Sequence, residues 1–287
     1  MVATETELQG RRSRLRSRPP DISLPVGICR WLLVWMLLRA APLSADPIAV
    51  RYPEGPTHGF LALRTLEGKL LAEGDLTEVF RGNQVVSRLV FRFKDGSVDD
   101  DTTVFSQHGT FRLISDHHIQ RGSSFPHPIN VLVNAATGQV TVRYPDKDRE
   151  KVISEHMDLP TDLANGILLS LLKNIPPDSP ETKASYLAAG PKPRIVHLVI
   201  KPSGEEWFSV AGARYKATVF TVKFELGGMA GVVAPLIGKQ PADTRVWVVE
   251  EGAPAFVRTD GALYVGGPIW TIQISSPEWA RGSHSGR

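Results

Sequence analysis

The sequence of this 287-residue chain predicts a mainly β fold: a curved antiparallel sheet or half-open barrel, with one amphipathic helix packed against its concave face. Two observations lead to this fold class. Short segments of alternating apolar and polar residues recur along most of the chain, separated by turns rich in glycine, proline and asparagine, as in antiparallel sheets and barrels. One segment, residues 161–175, shows the spacing of a helix instead.

In the first half, the alternation is clearest at residues 89–94, where Leu89, Phe91 and Phe93 share one face. The pair Asp95-Gly96 follows, and this dipeptide favours a tight turn between antiparallel strands. Further strands are predicted at Thr102–Gln107, Phe111–Ile114, Asn130–Val133 and Val140–Tyr144.

The second half continues the pattern, and its longest alternating run is Lys216–Leu226. Further strands are predicted at Ile195–Lys201, Arg245–Val249, Ala255–Arg258 and Ile269–Ile274. Regular strand spacing on both sides of the helical segment favours one sheet built from both halves of the chain.

The segment Thr161–Ile175 breaks this alternation. Its leucines and isoleucines recur at intervals of three and four residues, which places them along one side of a helix. Thr161 can cap the first turn, and Pro176 ends the helix. Such a helix must bury its apolar stripe, so we expect it to pack against the concave face of the sheet.

The first 45 residues differ in composition from the rest. They hold seven arginines against three acidic residues, whereas the remainder holds 26 basic and 27 acidic residues. Their uncharged apolar run, Trp31–Leu38, is far shorter than the roughly 20 residues that span a bilayer, and small residues follow it. We predict a signal peptide over residues 1–45, cleaved after Ala45 or after Ala41, and an exported protein that is periplasmic or extracellular. The alternative is an uncleaved anchor through residues 31–38, which would be the sole membrane contact.

The exported part, residues 46–275, is of a suitable length for a single β-rich domain. A proline-rich stretch permits an internal division near residues 176–192, and a long crossover within one curved sheet is the alternative. Residues 276–287 are polar and rich in glycine and serine, a composition typical of a flexible tail.

The chain lacks the motifs of several large functional classes. It contains no dinucleotide-binding glycine fingerprint, Walker loop, H-E-x-x-H zinc motif or G-x-S-x-G nucleophile turn. Its single cysteine, Cys29, excludes a disulfide framework and cysteine-built metal sites. The near-neutral charge beyond the leader disfavours nucleic-acid binding. We predict a protein that is not an enzyme and uses no cofactor.

Polar residues that could build a site are concentrated between positions 99 and 156. Five histidines lie there, His108, His117, His118, His127 and His156, with Asp116 beside two of them. On a strand, His117 and His118 would point to opposite faces, so we interpret the histidines as surface and turn residues and predict no metal site. Asp99-Asp100-Asp101 is interpreted as a solvated acidic turn, with a weak calcium site as the alternative.

Aromatic residues are frequent in the second half and supply the candidate ligand-binding residues. These are Trp247, Trp270, Phe220 and Phe224. If the sheet curves around a cleft, Trp270 and Trp247 should face it, and we predict an exported cell-envelope protein that binds an apolar ligand, a lipid or acyl chain, in this cleft between sheet and helix. The alternative is a structural or interaction module with a filled core, whose partner is another envelope protein.

Three consecutive features carry a family resemblance: the long strand Lys216–Leu226, the strand Arg245–Glu250, and the proline-containing turn that leads into Ala255–Arg258. The region Glu205–Ser275 thereby resembles the later part of secreted envelope proteins of the lipoprotein-carrier (LolA/LolB-like) type. The whole chain also resembles exported bacterial proteins of unknown function with repeated β-hairpins. The first resemblance implies a half-open barrel that holds a helix and binds lipid or lipoprotein acyl chains.

Overall fold

The structure, a computed structural model, describes residues 47–210, 213–225, 241–250 and 252–275. The predicted leader with its cleavage sites and the predicted tail lie outside the described residues. The fold class is confirmed, because the described residues form one large antiparallel sheet that does not close into a barrel and carry one short helix. No helix in these ranges has the length and apolar character needed to cross a bilayer.

Fourteen strands make up this sheet. The first eight are β1 (Thr57–Thr65), β2 (Leu70–Arg81), β3 (Gln84–Phe93), β4 (Val98–His108), β5 (Thr110–Arg121), β6 (Ile129–Asn134), β7 (Gln139–Asp146) and β8 (Arg149–His156). The helix α1 (Leu168–Leu172) follows. The last six are β9 (Thr182–Ala188), β10 (Arg194–Val210), β11 (Ala213–Glu225), β12 (Thr244–Val249), β13 (Ala255–Gly261) and β14 (Trp270–Ser275).

The strands form two meanders joined at one seam. Strands β1 to β8 pair in sequence order, strands β9 to β14 do the same, and β1 pairs with β14 between them. The outer strands of the sheet are therefore β8 and β9. The chain segment between these two strands carries α1, so the helix lies on the connection from one edge to the other.

One cluster of buried residues shows how the sheet curves. Its members come from both sides of the sheet and from the segment around α1, and we call it the helix cluster. They include Val85, Phe105, Leu113, Val131, Val142, Leu163, Ile167, Leu172, Leu187, Leu198, Phe220 and Val246. Because strands from both meanders contact the same helical segment, the sheet curls around it, and the predicted packing of the helix is confirmed.

The predicted length of the helix is wrong. Only residues 168–172 are helical, and Ile167, rather than Thr161, precedes the first turn, without a side-chain cap. Gly166 adopts a φ of +66°, a left-handed conformation that stops the helix from extending towards its N-terminus. A helical pattern of apolar residues therefore continues through a segment that is not a helix.

The preceding residues cover the edge of the sheet instead of forming helical turns. Asp162 Oδ2 accepts hydrogen bonds from the backbone N–H and the hydroxyl of Ser185 on β9, at 3.0 and 3.1 Å. The Asn165 side chain accepts from the N–H of Leu187 and donates to its carbonyl oxygen. These side chains satisfy backbone groups of an edge strand, which would otherwise be open to pairing with another chain.

Candidate functional site

Six polar side chains form a continuous patch on the inner face of β4 and β5, the face that contacts α1. The strand register pairs Asp99 with Gln120, Asp101 with His118, and Thr103 with Asp116. Cross-strand partners share a face, as do alternate positions along a strand, so all six side chains point the same way. We call these six residues the polar ladder.

A bulge next to Val104 keeps the polar ladder on the same side as the apolar core. Phe105 pairs with Leu113 across the two strands, and both belong to the helix cluster. The register shifts between Val104 and Phe105, and Thr103 then pairs with Asp116. Since a slip of one residue turns every following side chain to the other face, this extra residue on β5 is what directs its polar side chains inward.

Hydrogen bonds connect most of the polar ladder. His118 Nε2 lies 2.8 Å from Asp99 Oδ1, and Gln120 Nε2 donates to Asp99 Oδ2 at 3.2 Å. Gln120 Nε2 also donates to the carbonyl oxygen of Leu263, in the loop between β13 and β14. Thr103 Oγ1 donates to Asp116 Oδ1 at 3.0 Å. Asp101 Oδ1 is buried and has no hydrogen-bond partner.

The protonation of the polar ladder follows from these neighbours. Burial alone would lower the pKa of His118, but the hydrogen bond and charge of Asp99, with the charges of Asp101 and Asp116, raise it to about 9. Burial, and then the carboxylate of Asp116, raise the pKa of Asp101 well above its usual range. At neutral pH His118 is therefore an imidazolium ion paired with Asp99, and Asp101 keeps its proton to a higher pH than an ordinary aspartic acid does.

Tyr186 of β9 faces the same interior from the other meander. Burial, and then the negative charges of Asp116, Asp101 and Asp99, raise the pKa of its phenol. Its ring makes an edge-on contact with Phe224, with 5.5 Å between the ring centroids. An aromatic surface thus lies within the electrostatic field of the polar ladder.

The polar ladder lies between two buried apolar clusters. On β3, Val85 belongs to the helix cluster, whereas Phe91 belongs to a second cluster that also contains Leu61, Leu63, Phe93, Phe125, Trp270 and Ile272. Between them the inner face is more open: 30% of the His118 side chain is exposed, against 8% for its partner Asp99. Leu89, Asp101 and Tyr186 are likewise only half-buried. The described residues therefore leave part of the interior beside His118 accessible to solvent.

The helix side of the interior is filled much more completely. Phe220 and Leu172 are fully buried there. A cavity of about 10 Å³ remains next to Asp162, whose Oδ1 is buried without a hydrogen-bond partner. That volume suits about one water molecule and is far too small for an acyl chain.

A second buried polar group lies near the end of α1. Lys173 donates a hydrogen bond to Glu54 Oε2, and Glu78 is buried close to both side chains. Burial, and then the charge of Glu54, raise the pKa of Glu78 to about 7, although Lys173 and a hydrogen bond from Ser87 oppose that shift. Ser87 pairs with Thr103 across β3 and β4, so these polar side chains continue the row that begins at the polar ladder.

The four predicted ligand-binding residues do not come together. Phe220 is part of the helix cluster, Phe224 is half-buried beside Tyr186, and Trp270 packs against Phe93 in the second cluster. Of the four, Phe224 contacts the ring of Tyr186, whose pKa is raised by burial and by the charges of the polar ladder. Ligand binding by these residues stays a prediction.

The expectation that Trp247 faces the interior is wrong. Its neighbours Val246 and Val248 belong to the helix cluster, so Trp247 points to the outer face. There the indole Nε1 donates to Glu206 Oε2 at 2.9 Å, and the guanidinium groups of Arg245 and Arg258 lie over the ring. The indole is buried by its own neighbours on that face rather than by the core.

The interpretation of Asp99-Asp100-Asp101 as a solvated turn is also wrong. The turn is confined to residues 94–97, and β4 has already begun at Val98. Along this strand Asp100 points outward to Arg88, with 2.6 Å between Oδ2 and Nη2, while the two flanking carboxylates point inward. The sequence signal for this site was a pair of acidic residues at alternate positions, Asp99 and Asp101. They lie opposite an alternating D-x-H-x-Q sequence on the next strand.

The histidines divide as their spacing predicted. His117 points outward, with its Nε2 3.1 Å from Asn130 Oδ1, whereas His118 points inward. His108, His127 and His156 are exposed. Within the described ranges, no three histidine, cysteine or acidic side chains are grouped so that they could hold a metal ion.

Comparison with known proteins identifies similar structures and no family. No protein-family model and no curated protein sequence matches the chain. It is similar to the crystal structure of a beta-barrel-like protein of domain of unknown function DUF1849 from Brucella abortus, with 10% identity, a TM-score of 0.44, and coverage of 78% of this chain and 98% of that one. It is also similar to the hypothetical lipoprotein YmcC from Escherichia coli, with 10% identity, a TM-score of 0.34, and coverage of 92% and 100%. We draw no functional argument from likeness at this level.

Proposed function

We propose that this chain is an exported cell-envelope protein that binds an amphiphilic small molecule, such as a lipid, inside its half-open barrel. Export is supported by the basic, apolar-centred leader in the sequence. Binding is supported by one observation above all: His118 lies on the inner face between two buried clusters, yet 30% of its side chain is open to solvent. An accessible polar group inside an otherwise apolar interior is a common feature of ligand sites.

The surroundings of His118 suit a molecule with two different ends. The polar ladder offers carboxylates and an imidazolium ion to a polar head group. Leu89, which pairs with Asp101 across β3 and β4, and the ring pair Tyr186–Phe224 offer half-buried apolar surface to a hydrocarbon chain. This position differs from the predicted cleft beside the helix, which the core side chains fill.

The filled-core alternative is favoured by a different observation. Asp99, His118 and Gln120 satisfy one another, and the region around α1 is closely packed. In that case the polar ladder would be a structural network, and the chain would act through its outer surface on another envelope protein.

A binding experiment with a positional control separates the two functions. The purified protein is titrated with N-phenyl-1-naphthylamine, an uncharged apolar dye whose fluorescence rises in apolar sites. We expect saturable binding at micromolar dye, weakened about tenfold by Leu89→Gln, because a polar amide would then line the apolar part of the site. Leu132→Gln is the matched control, since Leu132 is 48% exposed on the outer face of β6. Non-saturable dye fluorescence, or equal effects of the two variants, would favour the filled-core module.

A further inference from the structure

We propose that the polar ladder binds a positively charged nitrogen, so that the ligand is an amphiphile with an ammonium head group. This inference rests on the proposed function, and it adds the chemical class of the ligand. Three features of the polar ladder support it: the hydrogen-bond acceptors that it leaves unused, the sign of its charge, and the proton that would leave when a cation binds.

The polar ladder has more hydrogen-bond acceptors than donors. Both oxygens of Asp99 are occupied, one by His118 and the other by Gln120. Of the remaining two carboxyl groups, Asp116 accepts a hydrogen bond from the Thr103 hydroxyl, and the Asp101 and Asp116 carboxyls are close enough to share a hydrogen bond when Asp101 is protonated. Asp101 Oδ1 is buried without any partner. A ligand that completes this arrangement must donate hydrogen bonds, and an ammonium group has three donors and no acceptor.

The charges in the interior favour a cation over an anion. Three carboxyl groups face one imidazolium ion, and that ion is already paired with Asp99. The effect reaches the opposite meander, because the charges of Asp116, Asp101 and Asp99 all raise the pKa of the Tyr186 phenol. A carboxylate or phosphate head group would enter this field against repulsion from Asp116, whereas an ammonium group would be attracted.

A change in protonation should accompany the binding. In the free protein, burial and the neighbouring Asp116 raise the pKa of Asp101 and so favour its protonated form, and the groups that face this carboxyl are Asp99, Asp116, His118 and the Tyr186 phenol. A cation next to Asp101 stabilises its ionised form, so the carboxyl O–H bond breaks and the proton passes to the buffer. The oxygen freed in this way accepts a hydrogen bond from the ammonium N–H.

The test compares three molecules with the same chain: n-decylammonium, n-decanol and n-decanoate. Each is titrated into the purified protein at pH 7 by calorimetry and by displacement of N-phenyl-1-naphthylamine. We expect n-decylammonium to bind about tenfold more tightly than n-decanol, and n-decanoate to bind most weakly. Calorimetry in two buffers of different ionisation enthalpy should show release of about one proton with n-decylammonium and none with n-decanol.

Asp101→Asn should abolish the preference for n-decylammonium over n-decanol and should abolish the proton release. Asp100→Asn is the matched control, because it removes a carboxylate from the adjacent, outward position of the same strand. If n-decanol or n-decanoate binds as tightly as n-decylammonium, the charge assignment is overturned and the proposed function stands. If none of the three displaces the dye, both fail. The order of the three affinities in the unaltered protein decides the matter even if Asp101→Asn does not fold.

Discussion

Asn174→Ala should destabilise the protein by about 2–3 kcal/mol, because this side chain joins the N-terminal segment to the end of the helical region. Asn174 is only 2% exposed. Its Oδ1 accepts hydrogen bonds from the backbone N–H groups of Arg51 and Tyr52, both at 2.7 Å. Its Nδ2 donates to the carbonyl oxygens of Ser170 at 2.8 Å and Tyr52 at 3.3 Å.

The magnitude depends on which of these groups water can reach after the substitution. Arg51 and Tyr52 are exposed, so water can replace the side chain at their N–H groups, and each lost bond there costs about 0.5–1.5 kcal/mol. Ser170 is buried, and its carbonyl oxygen would lose the partner that Asn174 provides; an unpartnered buried group costs about 1–3 kcal/mol. These terms add up to about 2–6 kcal/mol, and water access at Arg51 and Tyr52 places the expectation at the lower end, about 2–3 kcal/mol.

Equilibrium urea unfolding, followed by tryptophan fluorescence, measures this difference. Asn134→Ala is the control, because Asn134 is exposed and its side chain accepts one bond, from the Thr137 N–H at 3.1 Å. We expect the control to cost about 0.5 kcal/mol. Equal free energies of unfolding for the two variants would refute the reasoning, since the N-terminal segment would then not depend on Asn174.

Three further predictions concern stability and pH. Glu78 has a pKa of about 7 in the folded protein against a usual value near 4.5, so its contribution to the free energy of unfolding is complete below pH 4.5 and is lost as the pH rises to 7. Glu78→Gln should therefore make the urea midpoint less pH-dependent between pH 4.5 and 7, and an unchanged slope of midpoint against pH would contradict this prediction. The pKa of His118 is raised to about 9 in the folded protein, so protonated His118 stabilises the fold fully below pH 6.5 and this stabilisation is lost as the pH rises to 9. His118→Gln should make the urea midpoints less pH-dependent between pH 6.5 and 9, whereas the exposed control His156→Gln should not. Gly166→Ala should destabilise by at least about 2 kcal/mol, because a Cβ would lie 1.9 Å from Thr103 Oγ1 on a residue at φ +66°; Gly55→Ala, with no atom within 4 Å of the added carbon, is its control, and equal melting temperatures would be the contrary result.

Local patterns in the sequence predict those strands whose two faces differ in burial. Residues 89–93 of the predicted strand Leu89–Lys94 lie within β3, and residues 216–225 of the predicted run Lys216–Leu226 lie within β11. The strand β8 was not predicted, because nearly all of its residues are exposed and it has no apolar face. The strand β9 was not predicted either, since it falls in a proline-rich stretch, and its pairing partner β10 lies beyond two of those prolines.

The helical segment shows how a local pattern is overridden. The leucine and isoleucine spacing correctly predicted which side chains are buried against the sheet. It did not predict the length of the helix, because Asp162 and Asn165 hydrogen-bond to the edge strand β9 some twenty residues away, and Gly166 adopts a left-handed conformation. The free energy gained by covering that edge is a tertiary effect that no local window contains.

The polar ladder was visible in the sequence as separate residues, but only the tertiary structure brought it together. Burial patterns normally place charged residues outside, and they cannot reveal that a bulge beside Val104 turns Asp116 and His118 to the inner side. The same limit applies to β12, where Val246, Trp247, Val248 and Val249 are all buried, so that alternation carries no information about which face is inner. The sequence by itself determined the fold class and some of the hairpins, because these depend on neighbours along the chain. The tertiary structure decided the site, because the face of each side chain depends on register across strands and on the side towards which the sheet curves.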